Sequence, residues 1–290
     1  MESYPSLSSP ALVEARFAET GYLSDEGLAI AIFLSLQLGK PLLLEGAPGV
    51  GKTEAAKTLA TLLGRPLVRL QCYEGIDAAH ALYEWNYPRQ LLALREAEGH
   101  APDLYSETYL IERPLLKAIR APQSCVLLID EIDRSDHEFE AFLLEFLSDF
   151  QISIPEVGTI AAREKPPVIL TSNRTRSLHE ALRRRCLYHW IPYPEPEREA
   201  AIIRARAGDV SRAVARAVAR SVAALRRRPL AKPPGIAEAV EWARAATLLE
   251  NGSGDWPLAF RRAVGAAIKD EEDLSDLRDD LDGLLAEACA

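Results

Sequence analysis

One eight-residue run constrains this chain more than any other feature: Gly46-Ala47-Pro48-Gly49-Val50-Gly51-Lys52-Thr53, a match to G-x-x-x-x-G-K-[ST]. Glycines here leave no Cβ in the way of backbone N–H groups that curl around a phosphate chain. A helix starting near Lys52 aims the positive end of its dipole at the same anion. The Lys52 ammonium then reaches the β- and γ-phosphates, and the Thr53 hydroxyl is placed to ligate Mg2+. Residues Gly46 through Thr53, with Glu54 beside them, form the candidate nucleotide-binding stretch, and ATP and Mg2+ are its expected ligands. The competing explanation is a glycine turn that matches by chance. Context weighs against it, because an apolar strand-like run precedes the loop and an amphipathic helical run follows.

Short apolar runs alternate with helical ones around this loop. Residues 42–45, 67–71, 125–130, 168–172 and 187–191 are each short, continuous and apolar, the pattern of strands covered on both faces. Strands alternating with helices predict an α/β fold with a parallel five-stranded sheet flanked by helices. Ser24 is placed to cap a helix that runs to Gly39, with Asp25 and Glu26 in its first turn. A second helix spans about 52–63 and stops at Gly64. Residues 72–112 read as loop plus short helices, and 150–167 as a hairpin around Glu156-Val157-Gly158. The run Pro192-Tyr193-Pro194-Glu195-Pro196 changes the texture, and beyond it only helical patterning remains. The expected organisation is an α/β nucleotide-binding domain over 1–192 and a smaller all-helical lid domain over 193–290.

Three more motifs carry chemistry. VLLIDEID, residues 126–133, ends an apolar strand in Asp130 and Glu131, at the carboxyl edge where α/β sheets bind ligands. Asp130 is expected to hold Mg2+, mostly through water, and Glu131 to act as general base on the attacking water. Taken alone, the pair could also be a solvated acidic turn. VILTSN, residues 168–173, places Asn173 where it can donate to the γ-phosphate or orient that water. ALRRRC, residues 181–186, offers an arginine to stabilise transition-state charge in a neighbouring subunit, with Arg185 the first choice and Arg184 the second. The stripe Arg212, Arg216 and Arg220 reads as a solvated helix face or a dock for an acidic neighbour. Tyr83, Trp85 and Tyr87 read as core or subunit interface, and the 150–167 hairpin as an element that touches a substrate protein.

Composition narrows the partners. Thirty-four Lys and Arg against 43 Asp and Glu leave a net charge of −9, which argues against a general nucleic-acid coat protein. Charge is uneven: residues 183–228 hold twelve arginines and four acids, whereas 270–290 hold nine acids and one arginine. Cys72, Cys125, Cys186 and Cys289 lie far apart without a C-x-x-C, so they read as structural thiols in a reducing compartment. His80, His100, His137, His179 and His189 show no ligand spacing, so no structural metal is expected. The longest apolar stretch, 28–44, is interrupted too often to span a bilayer, and the first residues lack the regions of a signal peptide. The chain reads as cytoplasmic. A GTP switch would show N-K-x-D where this chain has TSNR, and a small-molecule kinase fits the Asp-Glu pair and late arginines poorly.

The glycine loop, Asp130–Glu131, Asn173 and the arginine cluster occur in the order seen in AAA+ ATPases, which this chain resembles. Within that superfamily it is similar to the MoxR group. LQCYEGIDAAHALYEWNYPRQLLALR (70–95) and TSNRTRSLHEALRRRCLYHWIPYPEPER (171–198) are similar to its CoxD-type branch. The likeness covers residues from about 20 to 200 and the lid loosely. It implies a Mg2+-dependent ATPase that forms a ring, hexameric in such families, and remodels a client protein. CoxD-type members are associated with maturing the metal centre of a molybdenum–copper carbon monoxide dehydrogenase, and MoxR-type members commonly work with a von Willebrand factor A-domain partner. Many such lids carry a sensor arginine in Gly-x-x-x-Arg. The corresponding region here is WPLAFRRAVGAAIKDEED, where Arg261 is the best candidate for touching nucleotide, Arg262 is as easily argued, and a solvated helix arginine is the stronger competing reading. The alternative is a DNA-acting AAA+ motor, a clamp-loader or helicase relative, which the acidic balance disfavours and the arginine-rich 183–228 region keeps open.

Overall fold

A computed structural model describes residues 4–96, 103–277 and 280–289. The strands are β1 (Leu42–Gly46), β2 (Leu67–Gln71), β3 (Tyr83–Trp85), β4 (Leu110–Glu112), β5 (Val126–Asp130), β6 (Gln151–Ile154), β7 (Gly158–Ala161), β8 (Val168–Ser172) and β9 (Leu187–Ile191). Five of them form a parallel sheet in the order β2-β5-β8-β1-β9. That order sets β8 between β1 and β5, so the carboxyl ends of the three motif-bearing strands lie side by side. Helices Glu26–Leu38, Lys52–Leu63, Pro114–Arg120 and His137–Asp149 supply apolar side chains that close the core.

Burial departs from the expectation at the edges. β1, β5 and β8 are buried at every position, whereas β2 and β9 expose part of each strand. An edge strand has one neighbour and less cover, and this accommodates Arg69 in β2 and Tyr188 and Trp190 in β9. The first long helix begins one residue later than expected. Asp25, not Ser24, is its N-cap and accepts from the Leu28 N–H at 2.6 Å, while Ser24 is buried. The second helix, Lys52–Leu63, ends at Gly64 with φ +61°, as a left-handed C-terminal residue should. The 72–112 region contains, besides short helices, the antiparallel pair β3–β4, with Tyr83 opposite Glu112. Three-residue strands are too short to show a period, which is why the sequence conceals them. Trp85 is core and meets Tyr105 edge-on at 5.3 Å, whereas Tyr87 is exposed. The expected hairpin is β6–β7, with Ile154 opposite Gly158.

By its internal contacts the chain forms two compact units. The α/β unit holds Met1–Phe17, Ser24–Glu45 and Lys52–Trp190; the helical unit holds Ile191–Ala290 together with Ala18–Leu23 and Gly46–Gly51. The helical unit has its own core, where Trp242 stacks on Phe260 at 4.5 Å and donates its indole N–H to the Phe260 carbonyl at 3.1 Å. It contains a buried ion pair: Arg226 donates to both oxygens of Glu199 at 2.7 and 2.8 Å and lies 3.9 Å from the Tyr193 ring centroid. Burial raises the Glu199 pKa and the arginine opposes the shift. Arg212 and Arg216 of the stripe are exposed, with Arg220 partly covered. Among the described residues, no helix is long and apolar enough to cross a membrane.

Candidate functional site

Sheet order gathers the acidic cluster of the α/β unit. Lys52, the first residue of its helix, is only 6% exposed. Burial pushes its ammonium down to about 8, against the opposing pull of Asp133, Asp130 and Glu131. One residue on, the Thr53 hydroxyl lies 3.1 and 3.3 Å from the two oxygens of Asp130. Asp130 ends β5 and is 2% exposed. It also accepts from the Thr171 hydroxyl and from Arg69, whose Nε lies at 2.9 Å and Nη2 at 2.5 Å from Oδ2.

Glu131 leaves the strand in the left-handed region, φ 55° and ψ 49°. A non-glycine residue adopts this conformation at a cost of about 1–2 kcal/mol, so neighbouring bonds must hold it there. Its N–H donates to Thr171 Oγ1 at 2.9 Å, and its carboxylate accepts from Gln71 Nε2 at 3.0 Å. The single Thr171 hydroxyl therefore serves both acids, accepting from the backbone of one and donating to the side chain of the other.

Asn173 follows β8, and its position is set by Asp133. That buried carboxylate accepts from the Asn173 N–H at 3.2 Å, the Thr175 N–H at 2.9 Å and the Thr175 hydroxyl at 2.7 Å. Burial works to raise the Asp133 pKa, but these donors from Thr175 and Asn173 outweigh it and hold the carboxyl below the usual carboxylate range. Asp133, Thr171, Gln71 and Arg69 all escaped the sequence reading. The available signals were a third acid in DEID and two polar residues, Arg69 and Gln71, at alternate positions of a strand otherwise apolar.

The arginines of ALRRRC occupy the short helix Glu180–Arg185. Arg184 is 77% exposed and pairs with Glu180 one turn back. Arg185 is exposed and donates to the Leu144 carbonyl and the Ser148 hydroxyl, on the helix His137–Asp149. These partners lie outside the cluster around Asp130.

In the helical unit, the loop Gly46–Gly51 is held by its own neighbours. Gly49 has φ +77°, and a Cβ there would stand 2.9 Å from the Gly235 Cα. The Gly49 carbonyl accepts from the Ile236 N–H at 3.1 Å, at the first residue of the helix Ile236–Ser253. Glu238 closes that helix start by accepting from the Gly235 N–H at 3.1 Å. Tyr22 Oη reaches the Gly51 carbonyl at 3.4 Å and Tyr193 Oη the Pro48 carbonyl at 3.4 Å. Arg261, the sequence candidate for touching nucleotide, is half-buried on the helix Trp256–Arg262. Within the helical unit, Gly235 and Ile236 meet the loop at Gly49.

Residues 41–186, half of the chain, match the family model described as AAA domain (dynein-related subfamily). The chain belongs to the AAA family. NorQ of Paracoccus denitrificans is 27% identical over 192 residues, 63% of this chain and 64% of that protein. The uncharacterized protein YojN of Bacillus subtilis is 28% identical over 186 residues, 61% of this chain and 56% of that one. The Lon protease of Halothermothrix orenii is 34% identical over 127 residues, 41% of this chain and 14% of the protease. The chain spans less than two thirds of the length of these curated relatives. The AAA match covers β1, β2, β5 and β8 and so includes every member of the acidic cluster.

Among the described residues no group of three or more His, Cys, Asp or Glu is placed to cage a metal; His100 lies outside them. Cys72, Cys125 and Cys186 are free thiols that burial pushes up to about 12, 11 and 12. The Cys289 side chain lies outside the described residues.

Proposed function

We propose that this AAA protein is an ATPase of the MoxR group that hydrolyses ATP to ADP and phosphate and uses the turnover to remodel a client protein. The observation that carries the reading is the convergence of Thr53, Asp130, Thr171 and Glu131 within one hydrogen-bonded cluster. A hydroxyl and a carboxylate facing each other suit Mg2+, a hard cation that takes few protein oxygens and keeps several waters; Thr53 and Asp130 would hold it. When bound, Mg2+ neutralises charge on the β- and γ-phosphate oxygens.

The chain's own residues supply the rest. Lys52, charged when phosphate is near, offsets the γ-phosphoryl charge. Glu131 accepts a proton from the attacking water as the water oxygen bonds to the γ-phosphorus and the bond to the ADP oxygen breaks. Before that, its carboxylate must give up the Gln71 amide. Asn173 orients the water or donates to the γ-phosphate. Arg185, with Arg184 as second choice, serves the nucleotide of a neighbouring subunit, which makes the active form a ring, hexameric in our reading. Arg261 is kept as a lid contact to nucleotide. The α/β domain over 1–192 and lid over 193–290, the cytoplasmic location, and the CoxD-type role in maturing a metal-containing enzyme, with a von Willebrand factor A-domain partner, belong to the same proposal.

Glu131→Gln tests it. The variant should bind ATP, lose turnover and, by light scattering, gain mass toward six subunits when ATP is added. Hydrolysis near the parent rate would remove Glu131 from its role. A mass fixed at one subunit would overturn the shared site.

A further inference from the structure

The nucleotide reading accounts for Asp130 as a metal carboxylate but leaves unexplained why a guanidinium already holds it. Arg69 lies on β2 across from Leu128, two residues before Gln71, which faces Asp130 in the register. Its side chain is 49% exposed, whereas that of Asp130 is 2% exposed. A carboxylate offers about four lone-pair sites. Here Oδ1 takes the hydroxyls of Thr53 and Thr171, and Oδ2 takes Nε and Nη2 of Arg69, with Thr53 shared between the oxygens. No site remains for a further cation or its water.

Three donors thus compete with an incoming cation, and they differ in freedom to leave. Thr171 is buried in β8 and is also the acceptor for the Glu131 N–H. Thr53 brings a hydroxyl that suits the cation. Arg69 alone is half-exposed, long and positively charged, so it is the donor that both sterics and like-charge repulsion would expel. Its guanidinium also donates to Gln71 Oε1, which turns the Gln71 amide nitrogen toward Glu131. One arginine therefore bridges the two acids of the motif.

We propose that Arg69 is the resident counter-ion of Asp130: a guanidinium that Mg2+ must displace, so that Arg69 sets the Mg2+ concentration at which the site loads. In the metal-free chain it neutralises a buried carboxylate that would otherwise stand beside Asp133 and Glu131 without its nearest cation. On loading it swings out over the exposed edge of the sheet and leaves Asp130 to the metal and its water.

This inference rests on the nucleotide reading, and the test separates the two. A fluorescent ADP derivative is titrated into the full chain across MgCl2 concentrations, from an EDTA baseline, for the parent, Arg69→Met and Arg69→Lys, with Lys52→Ala as the nucleotide control. Partly exposed ion pairs are worth little, at most about a factor of five in an equilibrium constant, so the Mg2+ half-saturation point should fall about twofold to fivefold in Arg69→Met. Arg69→Lys, which keeps a charge and loses the fork, should lie between. In EDTA without nucleotide, Arg69→Met should melt below the parent, and MgCl2 should close that gap. An unchanged or raised half-saturation point in Arg69→Met overturns the proposal; if that variant does not fold, the same criterion applied to Arg69→Lys decides. A parent chain that binds no ADP at any Mg2+ concentration overturns the nucleotide reading, and this one with it.

Discussion

Asp133→Asn isolates the residue that fixes the Asn173 loop. The substitution keeps the shape and removes one acceptor. The amide oxygen can stay on the Thr175 N–H and hydroxyl, now 2.9 and 2.7 Å from Oδ2, but its NH2 then faces the Asn173 N–H, now 3.2 Å from Oδ1. Donor opposes donor at that point, and the two surviving bonds lose their charge. A hydrogen bond to a charged group contributes about 1.5–3 kcal/mol, and an unpaired buried N–H costs about 1–3 kcal/mol. The Asn173 amide is only partly buried, so the lower ends apply and the expected loss is about 2–3 kcal/mol. Urea denaturation measures that loss, and hydrogen exchange at the Asn173 and Thr175 amides localises it. The pH dependence gives a second signature. A carboxyl held below its ordinary value stabilises the fold above about pH 4, and that contribution is lost as pH falls through the folded value. Asp133→Asn should flatten this part of the acid limb while losing stability at neutral pH. Lys52 also loses the first of the carboxylates that raise it, so ADP affinity near pH 8 should drop. Stability within 0.5 kcal/mol of the parent, together with unchanged protection of both amides, would refute the argument.

Two other outcomes follow from the same cluster. Burial sets the Lys52 ammonium at about 8, and a bound phosphate chain favours its charged form, so binding takes up a proton above that pH. ADP affinity should therefore fall about tenfold per pH unit above 8 until the complex itself titrates, as calorimetry in buffers of different ionisation enthalpy would show; a flat affinity to pH 9.5 would exclude the lysine as the titrating contact. Thr171→Val removes the hydroxyl that accepts from the Glu131 N–H and donates to Asp130. Single-turnover hydrolysis should slow at least tenfold while ADP affinity stays within about threefold, and equal losses in both would mean that the threonine serves only the fold.

The central strands and the helix Lys52–Leu63 were legible because each declares itself locally, by a continuous apolar run or by a helix between glycines. The edges were not, since a run such as LVRLQ reads as apolar until the sheet order shows how little covers it. The cap expected at Ser24 falls one residue later, at Asp25, because either side chain can cap a helix and the sequence pattern does not resolve one residue of register. The positioning residues were hidden for a different reason. Gln71 and Glu131 are 60 residues apart, Thr171 and Asp130 are 41 apart, and only the adjacency of β2, β5 and β8 brings them together. Periodicity carries no information about that adjacency. Arg69 could still have been noticed, because a charged residue inside a run read as buried on both faces contradicts the reading itself.

The lid shows the same limit from the other side. A family pattern directs attention to a charged residue, and so to Arg261, but the helical unit also meets the loop backbone on backbone. A Cβ on Gly235 would stand 2.9 Å from the Gly49 Cα and 3.3 Å from the Pro48 carbonyl oxygen, so neither glycine tolerates a side chain without displacing the other. The hydrogen bond they frame, Ile236 N–H to the Gly49 carbonyl, satisfies one of the donors that every helix start leaves without an intrahelical partner. In the proposed function the loop turns its N–H groups to phosphate. The carbonyl of Gly49 is thereby free to cap the lid helix, and one peptide group ties the fit of the loop to the position of Ile236–Ser253.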